Sequence, residues 1–208
     1  MTTPTLMDLT QALRRVGSDW ADLKRSCDQI ILFGSRAAGR VEPGSDWDLL
    51  CIGEGSSRLG DVDLIWLSPF ALERADWVHG ELASHIAAHG LWLHGEDRWT
   101  HRCELGAQAA RRKAQYLARQ MRTLEKYWLR LSPFFQLRHA LQLRRDLQRY
   151  LLLAAHQPIP CRPVLDDQWS LTSPTPALLL DWAEHGGVMS EFFRSSIIPT
   201  LIPSAADA

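Results

Sequence analysis

The strongest apolar runs of this 208-residue chain, such as Leu151-Leu152-Leu153-Ala154-Ala155, fall far short of the roughly 20 residues that a helix needs to cross a bilayer, so no membrane segment is expected. The opening Met1-Thr2-Thr3-Pro4-Thr5 lacks the basic flank and apolar stretch of a signal peptide. Nothing there directs export, and the expected location is the cytoplasm. Cysteine is sparse: Cys27, Cys51, Cys103 and Cys161 lie far apart, without paired metal-ligand spacing, and read as buried free thiols. His85-x-x-x-His89 would place two imidazoles on one helix face, but no third zinc ligand stands nearby. There is no internal repeat.

Charge is abundant and unevenly spread. Lys+Arg against Asp+Glu gives 9 against 15 over residues 1–100, 12 against 3 over 101–150, and 2 against 6 over 151–208. The net charge of −1 therefore conceals a middle segment carrying 12 − 3 = +9. So lopsided a count favours an anionic partner such as a triphosphate or RNA.

Apolar periodicity predicts an opening helix over 6–25, with Leu6, Leu9, Leu13, Val16, Trp20 and Leu23 as its buried stripe and a break near Gly17. Gln29-Ile30-Ile31-Leu32-Phe33 reads as a buried strand stopped at Gly34. Ser35 to Gly39 suits a short helix closed by glycine. After the turn Pro43-Gly44-Ser45, residues 46–52 read as a second strand, 53–60 as a Gly/Ser-rich loop and 62–67 as a third strand. A helix over 70–90 and a short strand at 91–95 follow. Beyond Cys103 come long Arg- and Gln-rich helices, 103–130 and 134–156, divided by Ser132-Pro133. Pro158, Pro160 and Pro163 then mark a loop, a helix is expected at 176–185, and the last residues fray. The expected organisation is a mixed α/β domain over 1–100 followed by a helical domain over 101–208.

The residues that carry chemistry stand in the first half. Successive strand side chains point to opposite faces, so Asp46 and Asp48 project together while Trp47 turns to the core. Two carboxylates so placed repel unless a cation lies between them, and a hard metal such as magnesium takes carboxylate oxygens while leaving sites for phosphate. Gly34-Ser35 follows a buried strand, where glycine lets a ligand approach the backbone and helix-start amides attract anions. Asp63 sits in another apolar strand, where an unpaired carboxylate is costly. It is the preferred third ligand, with Asp61 in reserve.

Gly34-Ser35, ten intervening residues and Asp46-x-Asp48, with a later aspartate in an apolar strand, resembles the minimal nucleotidyltransferases of the DNA polymerase beta superfamily. The likeness covers roughly residues 28–95, through Leu32-Phe33-Gly34-Ser35-Arg36-Ala37-Ala38-Gly39 and Ser45-Asp46-Trp47-Asp48-Leu49-Leu50. It implies an α+β fold, a nucleotidyltransferase-type mixed sheet with flanking helices, followed here by a C-terminal helical bundle. It also implies a nucleotidyltransferase that uses two Mg2+ ions, takes ATP or another NTP and releases pyrophosphate. By that resemblance Asp46 and Asp48 hold the metal, Gly34 and Ser35 contact the β- and γ-phosphates, and Asp63 helps to activate the attacking hydroxyl. Arg36, Arg40 and Ser45 are placed to neutralise or donate to the triphosphate.

Relatives in that superfamily modify proteins, RNA ends or aminoglycosides, and the three-aspartate centre is common to all. The basic helical half favours a protein or RNA acceptor. An antibiotic would need an acidic face, for which Asp146, Asp166, Asp167 and Glu184 are available. Two further readings remain: a toxin–antitoxin-type regulator that binds a helical partner protein, and an RNase using Arg149 and His156, seven residues apart and so on one helix face. Self-association is also compatible with the sequence.

Overall fold

The computed structural model describes residues 6–57, 60–104 and 107–170. They divide into two units, one of residues up to 106 together with 157–164, the other of 107–156 with the residues from 165 onward. The expected helix at 176–185 and the terminal residues lie outside the described residues.

In the first unit the opening helix is broken as its sequence implies. Helix α1 (Leu6–Arg15) ends near Gly17, whose φ is +73°, and α2 (Trp20–Ser26) starts where the Asp19 carboxylate accepts the Ala21 N–H at 2.7 Å. That cap satisfies one of the unpaired N–H groups of a helix start. Leu9, Leu13 and Leu23 are buried and Val16 and Trp20 pack beside them, whereas Leu6, the first residue of α1, is exposed.

Strands β1 (Cys27–Phe33), β2 (Trp47–Gly53), β3 (Val62–Leu67) and β4 (Leu91–His94) form one sheet in the order β3-β2-β1-β4. β1 pairs antiparallel with β2 and β4, while β2 and β3 run parallel. Both faces are covered, which is why β1 and β2 are nearly continuous apolar runs. One face packs Ile30, Leu32, Leu49, Cys51, Val62 and Leu64 against α1 and α2. The other packs Ile31, Phe33, Leu50 and Ile52 against Leu72, Ala83, Ile86 and Trp99. All four cysteines are free thiols.

Between β1 and β2 lies a single-turn helix, α3 (Gly34–Ala37). The single helix expected over 70–90 is instead three pieces: a 3₁₀ turn Pro69–Glu73, α4 (Ala75–Val78) and α5 (Glu81–His89). Arg74 and Gly80 both adopt extended backbone, which breaks the chain into segments short enough to follow the twisted sheet.

The second unit contains α6 (Ala107–Tyr127), a 3₁₀ turn Trp128–Arg130 and α7 (Pro133–Ala154). The loop expected after residue 156 holds a further helix, α8 (Arg162–Ser170). Pro163 does not prevent it, because the first turn of a helix has no use for that N–H. No described helix is long and apolar enough to cross a membrane.

Candidate active site

Asp46 ends the turn that leads into β2, Asp48 is the second residue of that strand, and Asp63 the second of β3. The parallel register sets Asp48 directly beside Asp63, and both side chains therefore leave the same face of the sheet. Asp46, Asp48 and Asp63 each offer a carboxylate oxygen to a cluster whose members all lie within 4.8 Å of one another. Asp61 stays outside that group, exposed, its carbonyl accepting the Trp47 N–H at 3.0 Å.

Such crowding leaves a mark on the protons. Burial, and then the charges of Asp46 and Asp63, push the Asp48 carboxyl up to about 7, against a smaller opposing pull from Arg36. Among the described residues Asp63 accepts one hydrogen bond, from the Gly60 N–H at 2.7 Å. The Asp46 and Asp48 carboxylates take none from the described residues. Three clustered carboxylate oxygens, with a single N–H among the described residues to offset their charge, suit a hard divalent cation.

Gly34 stands against this cluster. Its φ is +74°, a left-handed conformation that glycine alone adopts at no steric cost, and a Cβ there would land on the Asp48 Oδ2. Glycine is thus required by the neighbouring carboxylate as well as by the turn. The Gly34 amide donates at 3.3 Å to Nε2 of His85. Ser35 keeps a hydroxyl without a hydrogen-bond partner among the described residues, and its carbonyl accepts the Arg40 N–H at 2.8 Å.

Arg36 and Ser45 have backbone work. The Arg36 guanidinium donates to the carbonyls of Asp46 at 2.9 Å and Ser45 at 2.7 Å, and stacks over Trp47 with 4.3 Å to the ring centroid. The Ser45 hydroxyl accepts the Glu42 N–H at 2.9 Å. Together they hold the turn that delivers Asp46 and Asp48. Arg40 is exposed at the end of the same loop.

His85 is the residue that sequence reasoning passed over. It is buried in α5; Nε2 accepts from Gly34, so Nδ1 carries the proton and donates to the Ile159 carbonyl at 2.6 Å. Both ring nitrogens are therefore committed, which removes the His85/His89 pair as a metal site. In the sequence only a His-x-x-x-His spacing marks it, and that spacing points to the wrong chemistry.

Arg149 and His156 do not share a helix face. Arg149 lies within α7, its Nη1 3.6 Å from the Asp146 carboxylate. His156 lies past the end of the helix with φ +55°, which breaks the periodicity that would have aligned them.

A mixed four-stranded sheet that gathers three carboxylates at the ends of two parallel strands, beside a glycine-opened turn, defines a nucleotidyltransferase-type α+β domain. Residues 11–91 match the family model described as "Nucleotidyltransferase domain". That stretch is a nucleotidyltransferase domain, in keeping with the minimal members of the DNA polymerase beta superfamily. No curated protein matches the chain.

Proposed function

We propose that the protein transfers a nucleotidyl group, AMP from ATP, to a hydroxyl of a protein or RNA acceptor, using divalent metal held by Asp46, Asp48 and Asp63. The observation that carries this reading is the set of three carboxylate oxygens within 4.8 Å of one another, bordered by a glycine whose missing Cβ leaves Asp48 its place.

In the proposed reaction the acceptor oxygen attacks the α-phosphorus, the bond from that phosphorus to the bridging oxygen of the β-phosphate breaks, and pyrophosphate leaves. Two Mg2+ ions bound to these carboxylates would supply positive charge against the attacking and leaving oxygens. Asp63 is the group assigned to receive the acceptor proton, since it adjoins Asp48 and stands on the same face. Ser35, with its uncommitted hydroxyl, and Arg40 are assigned to the phosphates. Arg36 contributes charge from its post on the turn, and Gly34 contributes space rather than its N–H.

The test is transfer of label from α-phosphate-labelled nucleoside triphosphates to components of a cell lysate in the presence of magnesium. The wild type is expected to label a macromolecule with loss of pyrophosphate, most efficiently from ATP, and Asp46→Ala/Asp48→Ala to label none. Equal labelling by both proteins, or none by either, overturns the reading.

A further inference from the structure

Helix α6 carries on its outer side a surface that the nucleotidyl-transfer site does not use. Its buried residues Ala110 and Leu117, and the half-buried Met121 and Leu124, share one side at helical spacing. Arg111, Gln115, Arg119, Arg122 and Lys126 follow one another by three or four residues on the opposite side, so their side chains line up along one stripe. Every member of the stripe is exposed. Arg112 widens it, and Tyr116 and Tyr127, 38% and 52% exposed, form its flank.

Ordinary solvated helix faces intersperse both signs of charge. This stripe contains no acid, and none of its cations has an ion-pair partner among the described residues. Lys113 of the same helix shows what a paired cation looks like here: it turns inward and meets the Asp146 carboxylate at 3.1 Å. From Arg111 to Lys126 the stripe runs about 22 Å at 1.5 Å per residue, long enough to follow several phosphates of one strand. Arginine predominates, the side chain that binds phosphate through a planar fork, and exposed tyrosine rings at the edge offer faces on which unstacked bases rest.

We infer that the outer face of α6 is a docking surface for single-stranded RNA, the cations holding the phosphates and Tyr116 and Tyr127 stacking bases. As a binding surface it stands apart from the reading of the active site. Only the further step, that the bound RNA is the nucleotidyl acceptor, rests on that reading.

The experiment measures binding of a fluorescent single-stranded RNA oligonucleotide to the full chain without nucleotide, as a function of salt. Five phosphate contacts, from Arg111, Arg112, Arg119, Arg122 and Lys126, predict a slope of log affinity against log salt of about −3.5, and Arg119→Gln/Arg122→Gln a slope of about −2 with roughly tenfold weaker binding. Tyr116→Ala/Tyr127→Ala weakens binding by roughly tenfold or more with the slope kept. Arg14→Gln/Arg15→Gln, which removes the same charge from exposed positions of α1, leaves affinity within about twofold. Circular dichroism confirms that the α6 variants remain helical. Equal loss in the α1 and α6 variants, tighter binding of duplex DNA, or preference for anionic lipid vesicles over RNA overturns the inference. Because Asp46→Ala/Asp48→Ala should bind RNA like the wild type, RNA binding without label transfer would sink the catalytic reading and leave this one intact.

Discussion

Asp48 is held in a place where burial and two neighbouring carboxylates make its charge unwelcome. In the metal-free protein its carboxyl titrates near 7, raised by burial and by Asp46 and Asp63 from an ordinary value of 3.8. Between those values the folded state holds a proton that the unfolded chain has released. The stabilising contribution is thus complete below the ordinary value and is lost as pH rises through about 7. Metal-free Asp48→Asn is expected to lack this decline when urea midpoints are compared across that range. For the wild type, Mg2+ affinity should rise with pH and level off above about 7, with protons released on binding. Calorimetry in buffers of different ionisation enthalpy reads that release directly. Gly34 is the second sensitive residue. Gly34→Ala must place a side chain in a left-handed conformation at a cost of about 1–2 kcal/mol and push the Asp48 carboxylate aside. Its expected signature is a modest loss in denaturant stability together with a loss of metal binding and of transfer that far exceeds it.

Between elements, α5 and the segment carrying Ile159 are tied to the turn after β1 through one imidazole. His85→Ala would leave the Gly34 N–H and the Ile159 carbonyl without their side-chain partner in a buried setting, at a cost of about 1–3 kcal/mol. His85→Gln, which can both accept and donate, should recover part of that stability. If His85 also orients the turn for triphosphate, the Ala variant raises the KM for nucleotide more than it lowers kcat, and an unchanged KM would rule that out. In the helical unit, Asp146 joins α6 to α7 by accepting from Lys113 at 3.1 Å and from Gln142 at 2.9 Å, with Arg149 beside it. Asp146→Ala strands a nearly buried ammonium, and thermal or urea unfolding should register a loss of about 3–5 kcal/mol. Arg149 thus serves in an ion-pair network.

Across the whole molecule, cation binding is expected to act on one unit. Mg2+ at about a hundred times its dissociation constant stabilises the state that binds it by about 2.7 kcal/mol. Hydrogen exchange should then show added protection in the starts of β2 and β3 and in the Gly34 turn, with α6 and α7 unchanged. Protection spread evenly over both units would contradict a site confined to the sheet.

Much of this was legible in the amino-acid order alone. Strand alternation fixes Asp46 and Asp48 on one side of the backbone and Trp47 on the other, because that depends only on the two-residue period of an extended chain. The apolar runs at 29–33, 46–52 and 62–67 announce strands covered on both faces for the same local reason, and the charge excess of 101–150 is a matter of counting. What lay beyond reach were relations between distant segments. The apolar strand around Asp63 already favours it over Asp61, but that it stands beside Asp48 depends on the β2–β3 register, which no local pattern encodes. Arg36 and Ser45 look like phosphate ligands in the sequence, yet their nearest partners are backbone groups that only the folded turn brings near. His85 became part of the site through contacts 51 and 74 residues away in the chain, and those distances are set by packing, to which the order of residues contributes only as a whole.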